Sequence, residues 1–316
     1  MSAVTGLFQG AEALILENNL LKAVILPAHG GKVASLWYRP AQFELLFQNP
    51  KGLFRKARCG DDFSQFEACG FDEAFPTVDA CTVQVGGRQV AYPDHGELWS
   101  AVFTAWREGD AVRLAFDSPL LGYRYEKRFS LDGSTLVCDY HIHNPTGDGI
   151  PALWVCHALV RGERSMRLLL PREVTQVENT FASGWLGAAG RLLPYPSAQG
   201  PRGPIQLDQM PEDGQLKFYA HGRVTAGWCG YDYPDQGVRV LLRSDPQTLP
   251  YLGFWATAGG YRGDVNCALE PANGYYDSIP NALARQACPI LKAGESWTIQ
   301  LRFVFCPLGA KDGSIP

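Results

Sequence analysis

The sequence contains no apolar run approaching the ~18 residues that suggest a membrane-spanning helix, no long cationic tract and no closely spaced cysteine pair. Each absence removes a class of function. Lys and Arg are scattered and the net charge is −4, so no basic field exists to gather a polyanion. Neither nucleic acid nor a membrane is expected as a partner. The nine cysteines are an odd number, and Cys59, Cys69 and Cys81 stand ten and twelve residues apart, unlike the close pairs of a structural zinc site. Most are expected to act as small apolar core residues. Residues 4–8 are too short, and too polar in their flanks, for the apolar stretch of a secretory signal; a reduced, cytoplasmic protein is expected. Gly30-Gly31 and Gly86-Gly87 lack the strand, glycine pattern and helix of a dinucleotide site. No serine lies in a nucleophile elbow. No cofactor and no bound metal are expected.

What the chain does contain is apolar material in short pieces. Hydrophobic residues make up 46% and charged residues 19%, enough for an extensive core and unlike a disordered chain. Residues 14–16, 21–26, 32–38, 83–85, 99–106, 112–117, 123–130 and 136–143 alternate or run apolar between Gly, Pro, Asn and Asp. Residues 153–160, 167–170, 215–219, 225–229, 237–244, 251–256, 267–270 and 297–305 do the same in the second half. No 3.6-residue period is sustained, so the expected fold is an all-β, large antiparallel β-sandwich, read as a long meander. No internal repeat is visible, and the polar interval 183–214 reads as a long loop. A single domain spanning 1–316 is compatible with the length, because large β-sandwiches exceed the usual domain size.

Polar side chains at the ends of apolar runs stand out, since each must face a cavity or find a buried partner. His95 lies in Tyr92-Pro93-Asp94-His95-Gly96-Glu97-Leu98-Trp99, His157 in Leu153-Trp154-Val155-Cys156-His157-Ala158, and Glu270 in Asn266-Cys267-Ala268-Leu269-Glu270-Pro271. Imidazole and carboxylate exchange the roles of acid and base near neutral pH. Each also has a plainer reading: Glu270 as a surface carboxylate at a strand end, His157 as a core histidine, His95 as a turn organiser. His141 and His143 share one strand face, but no third metal ligand adjoins them, and they read as a polar strand surface.

These segments, with Gly70-Phe71-Asp72-Glu73-Ala74-Phe75-Pro76-Thr77-Val78 and Leu269-Glu270-Pro271-Ala272-Asn273-Gly274 followed by Asp277, resemble the aldose 1-epimerase, or galactose mutarotase-like, superfamily. The resemblance covers most of the chain and narrows the expected fold to a supersandwich of two large sheets. It implies a small-molecule carbohydrate ligand and interconversion of sugar anomers. Glu270 is then the base at the anomeric hydroxyl, His157 the acid at the ring oxygen, and His95 a hydrogen-bonding group beside it. Glu270 and His157 are expected to face one pocket, with His95 near His157.

Around the trio, Asp72 and Glu73 point to opposite sides of a strand, so either one contacts sugar hydroxyls while the other anchors the loop, or both are structural. Trp99, Phe254 and Trp255 are candidate stacking surfaces, although aromatic residues are commonly core. The Asn-Arg contact dipeptide of galactose mutarotases has no counterpart; Phe54-Arg55-Lys56 stands in its place. Gly259-Gly260-Tyr261-Arg262 likewise departs from their Gly-Gly-Tyr-Asp segment. Arg55 is a candidate substrate contact, and with Lys56 and Arg58 a candidate phosphate site. Two other readings remain open: a non-catalytic carbohydrate-binding or regulatory module, and a lyase or hydrolase on a similar sandwich. The oligomeric state is not legible.

Overall fold

The computed structural model describes residues 2–310; the end of the 1–316 span lies outside the described residues. Some strands alternate apolar and polar residues and others, mainly in the larger sheet, run almost continuously buried. Strand Arg124–Asp132 shows the alternation plainly: Tyr125, Phe129 and Leu131 are buried, while Arg124, Glu126, Arg128 and Ser130 are half-exposed. Among the described residues the strands gather into one sheet of 12 strands and one of 8, with three two-stranded sheets beside them. All the strand pairings are antiparallel. Among the described residues no helix is long and apolar enough to cross a membrane.

The apolar faces of the two large sheets meet in one core that includes Phe71, Phe129, Trp154, Phe254 and Phe303. In the larger sheet the strands nearest the site run Gly70–Ala74, Val155–Arg161, Val265–Ala272, Tyr251–Ala258 and Gly214–Ala220, in that spatial order. Only Tyr251–Ala258 and Val265–Ala272 are consecutive in the chain; the other neighbours are distant in sequence, so the chain is not the simple meander that local patterning suggests. Strand Val265–Ala272 is buried from Asn266 onward because both of its faces are covered.

Other local departures have physical causes. The apolar run 99–106 is not one strand: Leu98–Ser100 forms a 3-10 turn and Thr104–Glu108 a strand. Gly96, at φ 73°, brings the backbone against Phe75, where an added Cβ would lie 1.9 Å from the Phe75 carbonyl oxygen; this close approach starts the turn. Ser2–Phe8 is a strand, paired along its length with Ala11–Glu17. The polar interval 183–214 contains short strands at Leu192–Pro194, Ser197–Gly200 and Gly203–Gln206. A single short α-helix among the described residues, Ile279–Ala284, starts with Pro280 in its first turn.

Candidate active site

Side chains on the face of the larger sheet turned away from the core line a cavity of about 430 Å³, within the range of small-molecule sites. Parity of the strands selects them. Cross-strand partners Asp72 and His157 lie on this face, as do Glu270 and its partner Gly253, and Trp255 and its partner Lys217. Partners Val155↔Ala272 and Val160↔Cys267 bracket His157 and Glu270 on adjacent strands. Loops complete the wall with Phe63, Asp79, Asp94 and His95.

His157, Glu270 and His95 therefore line one cavity. The two imidazole rings are 5.1 Å apart, centroid to centroid, and inclined at 68°. Phe63 lies flat on His95 at 3.9 Å and presents its edge to His157 at 5.7 Å. His95 has φ 57° and its amide donates to the Val78 carbonyl, so the turn and the stack together hold the ring; its Nδ1 is 3.1 Å from Asp94 Oδ1.

Behind His157 stands a buried chain of ion pairs. Burial alone would push the Asp72 carboxyl up, but the Lys32 ammonium at 3.2 Å and the His157 ring at 3.1 Å hold it below the ordinary carboxylate range. An ionised Asp72 only accepts, so His157 Nδ1–H donates to Asp72 Oδ1 and Nε2 is left for a ligand. Lys32 also donates to the carbonyls of Glu67 and Cys69 at 3.1 and 2.7 Å. Asp72 thus holds His157 from behind and does not itself line the cavity.

Glu270 is 1% exposed. Burial pushes its carboxyl above the ordinary value against the pull of Lys217, and the Asp277 carboxylate adds to the rise. Gly253, directly across the ladder, makes room for it: a Cβ there would lie 2.9 Å from Glu270 Oε2 and 3.1 Å from the Tyr219 ring.

The remaining expected residues divide by face. Trp255 lines the cavity, whereas its neighbour Phe254 points into the core and packs on Phe218 at 5.2 Å. Glu73 likewise faces the core, ion-paired to Lys127 of the smaller sheet. Trp99 stands behind Phe63, edge to face at 5.2 Å, and donates to the Asp94 carbonyl. Arg55 is engaged away from the cavity, with Nε 2.8 Å from Glu67 Oε1 and a further bond to the Gln65 carbonyl. None of Arg55, Lys56 and Arg58 lines the cavity. Sequence reasoning missed Lys217, Asn266, Gln215 and Phe63, whose only local signal is a place on the cavity face or in a loop.

Another depression, of about 470 Å³, lies on the outer face of the smaller sheet and includes Arg113, Arg128, Asp139, His141 and Gln300. Its charges are paired locally, Arg128 with Asp139 and Arg113 with Glu108, which marks a solvated strand face. Among the described residues no group of His, Cys, Asp and Glu is arranged to hold a metal ion.

No family model and no curated protein matches the chain. Solved structures do. A protein from Synechocystis sp. PCC 6803 superposes with a TM-score of 0.72 at 15% identity, covering 97% of this chain and 100% of its own. A galactose mutarotase-like protein from Lactobacillus casei gives 0.70 at 17%, covering 93% and 100%. The GalM/aldose epimerase homologue from C. elegans gives 0.67 at 13%, covering 97% and 100%. The chain has the galactose mutarotase-like fold.

Proposed function

We propose that the protein interconverts the α and β anomers of an aldose by acid and base catalysis. Glu270 takes the proton of the anomeric hydroxyl while His157 Nε2 gives a proton to the ring oxygen; the bond from the anomeric carbon to the ring oxygen breaks and a carbonyl forms. Rotation about the adjacent carbon–carbon bond exposes the other face, and closure returns both protons. His95 hydrogen-bonds the ring oxygen or a neighbouring hydroxyl, and Trp255 offers a face for the sugar ring. The carrying observation is that one cavity is lined by a carboxylate and two imidazoles, one of them held through Nδ1 by Asp72.

Charge supports an unphosphorylated substrate. Lys217 is the one Lys or Arg among the described cavity residues, and two carboxylates already occupy it. Asp79 and Asp94 add negative charge at the rim, which a phosphate would meet unfavourably.

The test is anomer exchange by NMR across neutral and phosphorylated aldoses. Glu270→Gln is expected to lower turnover at least ~100-fold while binding largely survives, and His157→Asn to act in the same direction. Wild-type turnover in a folded Glu270→Gln protein rejects the mechanism. The commitment of Glu270 to an ion pair also suits a carbohydrate-binding module without turnover; saturable binding with only the uncatalysed rate of exchange selects that reading.

A further inference from the structure

Lys217 takes no part in the proton transfers, yet it is the cation nearest the proposed base. It projects from strand Gly214–Ala220 and is 7% exposed. Its Nζ lies 3.0 Å from Glu270 Oε2 and 2.9 Å from Asp277 Oδ1, and the Tyr219 hydroxyl donates to the same Asp277 oxygen at 2.8 Å. Burial favours the neutral amine, but the Asp277 and Glu270 carboxylates overcome it and hold Lys217 above its ordinary value. A buried ammonium between two carboxylates is a costly arrangement for a strand that could carry an apolar side chain there.

Glu270 is faced by Lys217 from strand Gly214–Ala220, one strand beyond its neighbour Tyr251–Ala258, by Asp277 from the segment after its own strand, and by His95 from the loop across the cavity. Tyr219 reaches it through Asp277, and Asp79 stands next to Asp277. Without a cation in this group, a carboxyl as deeply buried as Glu270 would retain its proton and be useless as a base. With Oε2 taken by the ammonium, Oε1 is the oxygen left to accept a proton.

We propose that Lys217 is a positioning residue whose ammonium, anchored by Asp277 and Tyr219, holds Glu270 as an oriented carboxylate with Oε1 free to act as the base. The inference rests on Glu270 being that base. It differs from a structural role in the sign of two charge changes. Lys217→Met removes the cation, so the acidic limb of the rate profile moves to higher pH by about one unit or more, and lost turnover returns as pH rises. Asp277→Asn removes an anion, so the limb moves to lower pH. Lys217→Arg keeps the charge and retains the wild-type limb.

The direct readout is the titration of the Glu270 carboxyl by 13C NMR in the full chain, assigned with Glu270→Gln, which needs no turnover. Opposite displacements of its midpoint in Lys217→Met and Asp277→Asn support the proposal. A midpoint unmoved in both folded variants overturns it; if Lys217→Met does not fold, the direction in Asp277→Asn decides. Should Glu270→Gln keep its activity, the mutarotase mechanism fails, while the titration still reports whether Lys217 controls the carboxylate.

Discussion

Single atoms decide the chemistry of the cavity. Asp72 is held ionised by buried Lys32 and by His157, so its contribution to stability is present above the ordinary carboxylate range and is lost as pH falls through its depressed folded value. Asp72→Asn leaves Lys32 buried without its partner carboxylate and is expected to cost about 3–5 kcal/mol. Urea unfolding followed across pH should show a lower plateau near neutrality and a shallower acid limb than wild type; an unchanged acid limb would show that Asp72 is not the group responsible. Gly253 is the other case. Gly253→Ala sets a Cβ against Glu270 Oε2 and the Tyr219 ring, and is expected to cost about 1–3 kcal/mol while lowering turnover more than it weakens sugar binding. A crystal structure with Glu270 unmoved would contradict it.

Short irregular elements, more than strands, shape the cavity mouth. Asp62 caps the 3-10 turn Phe63–Gln65 by accepting from the Ser64 amide, and the turn delivers Phe63 onto His95. Arg55, ion-paired to Glu67 and bonded to the Gln65 carbonyl, braces the same loop. Phe63→Leu keeps an apolar side chain but removes the flat surface beneath His95. It is expected to lower turnover by about tenfold to a hundredfold, the penalty of small misplacements of catalytic groups, with His95 ring signals broadened in NMR. Sharp, unshifted His95 signals with full turnover would assign the stack no role.

At the scale of the whole molecule, the two large sheets are joined by apolar packing and by a buried ion pair. Lys127, from strand Arg124–Asp132, meets Glu73 of the larger sheet and also donates to the Gly30 carbonyl at 2.8 Å. Neither side chain reaches solvent; burial pushes the Glu73 carboxyl up, against the pull of Lys127. Lys127→Met strands Glu73 between the sheets and is expected to cost about 3–5 kcal/mol in denaturant unfolding. Replacing both, as Lys127→Met with Glu73→Leu, is expected to recover most of that loss, because an apolar pair needs no desolvation. A double variant as unstable as the single one would show that the pair cannot be exchanged for packing.

The all-β class was legible in the sequence because a strand writes its two faces into alternate residues. For the same reason the opposite orientations of Asp72 and Glu73 could be read before their partners were known. His95, His157 and Glu270 were visible as polar residues at the ends of apolar runs, and the family resemblance, not the runs, suggested their roles. Strand order was not visible: pairing Val155–Arg161 with Val265–Ala272 depends on non-local closure, which no local window records. Lys217, Lys32 and Lys127 illustrate the consequence. In sequence each is a lysine on a strand, where solvent is the ordinary destination; only the folded chain brings up the carboxylates, from the same or the opposite sheet, that let each ammonium be buried. The tertiary structure decided which charges face which, because the stability of a buried charge depends on a partner brought to it by the fold and not on its own surroundings in the chain.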